Sequence, residues 1–138
     1  MRSRRQEGER GQILVLSALV MTFLFIPLAI FLVDTSLFES AYAQLGETLQ
    51  ASAEDGASTV DEATLRSSNG QTVVLDPALA RTTADTSMRA SHLAGLVSWT
   101  STASRQRVTV TATIAVPLMV LGTAHLTASR SASFAYGP

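Results

Sequence analysis

At 138 residues, with 10 basic against 11 acidic side chains, the chain has room for one small domain and an appendage, and offers no strongly basic surface for nucleic acid. Every basic residue is arginine, and Arg2, Arg4, Arg5 and Arg10 stand against only Glu7 and Glu9 at the start, so the leader is positive and the remainder slightly negative. The lack of cysteine excludes disulfides, a thiolate nucleophile and Cys-ligated metal.

After the leader, Ile13 to Val33 is an uncharged run of 21 residues broken only by Ser17, Thr22 and Pro27. As a helix it would be about 31 Å long, close to the roughly 30 Å of bilayer hydrocarbon, and it exceeds the ~7–15 residues of a signal-peptide core. Arginines before it and Asp34 after it predict an N-terminus in the cytoplasm and a C-terminal part outside. Residues 1–11 are then a cytoplasmic basic leader and 12–34 a single transmembrane helix. A second reading comes from Ser40 to Gln44, "SAYAQ", an Ala-x-Ala site where signal peptidase would release an exported soluble binding domain after Ala43. Against it, ten residues separate Val33 from that bond, among them Asp34 and Glu39.

The helical pattern continues beyond the apolar run. Phe38, Tyr42, Leu45, Leu49, Ala53, Gly56 and Val60 recur three or four residues apart, opposite Glu39, Gln44, Glu47, Gln50 and Glu54. One helix from about 12 to about 64 is expected, with residues 35–66 as its extracytoplasmic continuation. The face from Phe38 to Val60 is the candidate partner-contact surface; packing against the chain's own sheet is the alternative.

Residues 67–138 predict a small α+β domain. Ser67 to Gly70, "SSNG", marks a turn, and "QTVVL" after it a short strand. Asp76 as N-cap and Pro77 at the first helical position open a helix with a weak stripe of Leu79, Thr83, Thr86, Ala90 and Leu93, closing near Gly95. Val97 to Thr102 pairs as a hairpin with a strand in which Val108, Val110, Ala112, Ile114 and Val116 alternate with Thr109, Thr111, Thr113 and Ala115. Pro117 is expected to end that strand, "LMVLGTA" to cross over, and "HLTASRSASFAY" to form a last strand. The expected fold class is α+β: a long transmembrane helix, then a small antiparallel sheet with one packed helix and a Thr/Ser face outward.

Chemistry has little to stand on. His92 and His125 are 33 residues apart without metal-ligand spacing, no G-x-S-x-G or phosphate-binding glycine loop occurs, and without lysine there is no Ser–Lys dyad. Glu54, Asp55, Asp61 and Glu62 suit a solvated helix end better than a cation site, and Trp99 suits core packing on a strand. No enzyme activity, cofactor, metal or small-molecule ligand is expected. An unrelated membrane-tethered enzyme or sensor would need a cleft of convergent polar groups, for which no candidate is present.

The layout resembles the TadE/TadG-like group of pilin-like proteins of the Flp (tight adherence) pilus system. The likeness rests on "ERGQ" at Glu9 to Gln12, the apolar stem with a central proline, "VD" at Val33–Asp34, the alanine-rich Ala41 to Ser58, and the strand-rich "VTVTATIAVPLMVLGTAHLTASRSASF". The resemblance implies a minor pilin or membrane-anchored assembly protein, with other pilin-like or assembly proteins as partners. It also implies a prepilin peptidase cut between Gly11 and Gln12. The family usually carries glutamate at the fifth residue after the cut; here it is Leu16, as in many TadG-like members, and an uncharged stem is not penalised for staying in lipid.

Overall fold

The computed structural model describes residues 3–120 and 122–134, with side chains from residue 12 onward. Helix α1 is 55 residues long, Ser3–Ala57, and passes through Pro27 without ending. From Gln12 it is long and apolar enough to cross a membrane, and the side chains of that stretch pack against little else in the chain. Two threonine hydroxyls along it are satisfied within the helix. The Thr22 hydroxyl donates to the Ala18 carbonyl at 2.8 Å, and Thr35 donates to Phe31 at 2.9 Å, so neither asks for water.

The expected extension to about residue 64 is not seen: α1 stops at Ala57. The hydroxyls of Ser58 and Thr59 donate to the carbonyls of Asp55 and Gly56, filling acceptors that a further turn would have used. The chain then turns, Val60 makes a single antiparallel bridge with Leu75, and a six-residue helix α2, Glu62–Ser67, lies between them. The strand expected over "QTVVL" is reduced to that bridge, because no neighbouring strand pairs the rest of it. Helix α3, Pro77–Ala90, begins as expected: the Asp76 carboxylate accepts from the amides of Ala78 and Leu79, and Pro77 needs no partner at N1. Its buried stripe is Ala80, Ala84 and Met88, one or two positions on from the expected Leu79, Thr83 and Thr86. It ends at Ala90, before the expected Gly95.

Three antiparallel strands follow in the order β1 (Leu96–Ala103), β2 (Arg107–Leu118) and β3 (Gly122–Ser133). Pro117 lies inside β2, opposite Thr123, and no crossover occurs: Leu118 faces Gly122 across a tight hairpin. The alternation of β2 is as expected. Val108, Val110, Ala112, Ile114 and Val116 point inward, while Thr111 and Thr113 hydrogen-bond across the outer face to Ser129 and Thr127.

The core lies between this sheet and two helices. Leu45, Leu49 and Ala53 of α1 pack on the inner face of β2 and on Leu126 and Ala128 of β3, while Ala80, Ala84 and Met88 of α3 pack on α1 and on the β1–β2 side of the sheet. Each large side chain here stabilises by about 1.5–3 kcal/mol, and there are few of them, so alanine provides closeness rather than bulk. Gly56 marks the closest approach of α1 to α3. A Cβ there would lie 2.8 Å from the Ala80 carbonyl oxygen and 3.1 Å from both Ala84 Cβ and Val108 Cγ1.

Candidate functional site

The α1 face singled out from periodicity divides into two. Leu45, Leu49 and Ala53 are fully buried within the chain's own core, and Gly56 is buried with them. As partner contacts these residues are therefore corrected: the sheet and α3 already cover them. Val60 is half-buried beside Leu75. Only Phe38 and Tyr42, 39% and 45% exposed, remain open to another molecule, because they lie beyond the reach of α3. Gly11 and Gln12 fall within the helical backbone of α1, but the surroundings of Gly11, like the leader side chains, lie outside the described residues.

The residues singled out for possible chemistry are each occupied separately. Asp55 accepts from the Ser87 hydroxyl at 2.6 Å, which in turn meets buried Ser52, linking α1 to α3. Asp61 caps α2 through Ala63 and Thr64, Glu62 pairs with Arg66 in an exposed i,i+4 bridge, and Glu54 accepts from Gln50. Trp99 is half-buried and donates through Nε1 to Asp85 on α3, which also accepts from buried Ser101 at 2.6 Å. His92 and His125 are both exposed. Among the described residues no group of His, Cys, Asp or Glu is placed to hold a metal.

The feature that periodicity missed is the junction of stem and sheet. Asp34 is 6% exposed although it ends the apolar run. Its Oδ1 accepts from the Met119 amide at 2.8 Å and its Oδ2 from the Val120 amide at 3.2 Å. Both donors sit at the β2–β3 turn, about 85 residues away in sequence. The carboxylate thus ties the far end of the long hairpin to α1 where the stem meets the domain. Beside this tie lies a groove of about 630 Å³ lined by Ile26, Pro27, Ile30, Phe31 and Phe38 of α1 and by Leu118 and Val120. The groove is almost wholly apolar, with no convergent polar set for binding or transforming a polar substrate. In sequence, Asp34 looked only like a boundary charge. The available signal was the turn itself, where apolar Met119 and Val120 stand at the tip and only Gly122, at φ +75°, is a usual turn residue.

Comparison with the known protein families, with curated proteins and with solved structures finds no match to this chain.

Proposed function

We propose that this protein is a structural component of a Flp/Tad-type pilus system, either a minor pilin or a membrane-anchored assembly protein, that acts by contact and not by catalysis. One observation carries the proposal: a single helix supplies both the apolar stem and the central core element of the small α+β domain. That layout suits a subunit whose stem lies in a bilayer or packs among other stems while its domain is held rigidly at the end. The arginine-rich leader and Asp34 support a cytoplasmic N-terminus and an extracytoplasmic domain in the cell membrane. Phe38 and Tyr42, with the Thr/Ser face of the sheet, are the surfaces open to other pilin-like or assembly proteins. Prepilin peptidase would act at Gly11–Gln12.

Two measurements on protein from membranes of its own host test this. The N-terminus and intact mass identify processing: a start at Gln12 supports entry into a filament, a start at Met1 a permanent anchor, and a start at Gln44 overturns the proposal. Photocrosslinkers replacing Phe38 and Tyr42 then report partners. Crosslinks to pilin-like or pilus-assembly proteins support the reading, and crosslinks confined to unrelated proteins or absent altogether overturn it.

A further inference from the structure

The β2–β3 turn is built unlike a turn that faces water. Met119 and Val120 are 74% and 67% exposed, follow half-buried Leu118, and precede Leu121 in the sequence. Exposed turn tips normally carry small or polar residues that suit the backbone geometry and hydration. No charged residue lies between Arg107 and Arg130, which places both at the opposite end of the hairpin. The first ionisable side chain met along β3 is His125, three residues above Gly122 and so about 10 Å from the tip.

The position of this tip is fixed by Asp34, the residue at which the apolar stem ends. Two opposed needs are met by the same pair of hydrogen bonds. A turn in lipid must satisfy its backbone N–H groups without water, and a carboxylate near lipid must be held by donors. Each is the other's partner here. Leu118 and Val120 also share one groove with Ile26, Ile30 and Phe31, whose lining is apolar apart from Asp34 and Thr35.

We infer that the β2–β3 turn is a second membrane-contacting element, its Met119–Val120 tip seated in the lipid at the headgroup–acyl boundary beside the stem. The occupant of this apolar surface is the bilayer, because the surface is continuous with the span and lies at its end. The insertion would be shallow, within the roughly 5–10 Å typical of interfacial elements, with His125 left at headgroup level. Two attachments, stem and tip, would fix the tilt and rotation of the domain on the membrane, which one helix alone does not. The inference rests on the stem crossing a bilayer, and not on the pilus assignment.

The chain has no cysteine, so single-cysteine variants of the full-length protein can carry an environment-sensitive fluorophore. Met119→Cys, Phe23→Cys in the stem and Gln106→Cys at the opposite end of the sheet are reconstituted in phosphatidylethanolamine/phosphatidylglycerol vesicles containing either a lipid with a shallow nitroxide, which reports the tip, or one with a nitroxide deep in the acyl chain, which reports Phe23→Cys at mid-stem. The expected result is a blue-shifted Met119→Cys label quenched at least about twofold more than Gln106→Cys, unchanged on dilution with lipid. A Met119→Cys label that behaves like Gln106→Cys while Phe23→Cys is quenched overturns the inference and leaves the anchor standing. Shielding that disappears on dilution with lipid means that a second copy covers the tip, and overturns it as well. Failure of lipid quenching at Phe23→Cys removes the membrane anchor itself, and the inference with it.

Discussion

The five aspartates of this chain are all engaged in holding the fold. Asp34 ties the hairpin tip, Asp55 and Asp85 link α3 to its neighbours, and Asp61 and Asp76 cap helices. Four of them accept from two or more donors at once, and Asp55 accepts from the Ser87 hydroxyl. Asp61 shows the electrical consequence. The Thr64 hydroxyl, donating to Oδ2 at 2.8 Å, is the main reason its carboxyl is held below the usual aspartate range, helped by the amides of Thr64 and Ala63. Because the folded pKa is depressed, the stabilisation is complete above the unfolded value of about 4 and is lost as pH falls through the lower folded value. Following the Thr64 amide by NMR should therefore give a titration midpoint below about 3.9, and a midpoint at or above that value would contradict the cap.

At the scale of elements, the close approach of α1 and α3 is what small residues make possible. Gly56, Ala53, Ala80 and Ala84 let the two backbones meet over β2, at the expense of bulk in the core. Gly56→Ala sets two effects against each other. Helix propensity favours alanine by at most about 1 kcal/mol, and by less one residue from the end of α1. Crowding against the Ala80 carbonyl costs about 1–3 kcal/mol, since backbone cannot swing aside as a side chain can. A net loss of on the order of 1 kcal/mol is expected, read as a lower urea midpoint with the emission of Trp99, the only tryptophan, as reporter. An unchanged or raised midpoint would mean that the helices separate freely. The same closeness explains the misplaced stripe on α3. Leu79, the first residue of the expected stripe, is half exposed, because the narrow contact with α1 admits alanine and Met88 instead.

For the molecule as a whole, stem and domain share a helix but not a core. The fully buried α1 side chains begin at Leu45, with Ala41 packed at the edge, so nothing before Thr35 except the Asp34 tie contributes to the domain interior. A chain beginning at Thr35 should therefore fold, leave the membrane fraction and unfold cooperatively. A chain beginning at Gln44 should be less stable by on the order of 2 kcal/mol, because Leu45 then sits in a fraying first turn and the Ala41 packing is gone. Urea titration of the two truncated proteins checks this, and equal midpoints would mean that the segment from Thr35 to Ala43 carries no domain stability.

The uncharged run, the helix starting at Asp76–Pro77 and the valine–threonine alternation of β2 could be derived without coordinates, because each follows from local physics: the thickness of a bilayer, the satisfaction of orphan amides, the period of a strand. The α+β class followed from their order. Tertiary structure alone decided which side of the Phe38–Val60 face is covered, why "QTVVL" finds no strand to pair with, and that Pro117 sits within a hairpin. It alone brought Asp34 to Met119 and Val120. Those outcomes depend on which surfaces meet across long stretches of chain, and a carboxylate with two amides waiting 85 residues away looks, in sequence, like any other charge at the end of an apolar run.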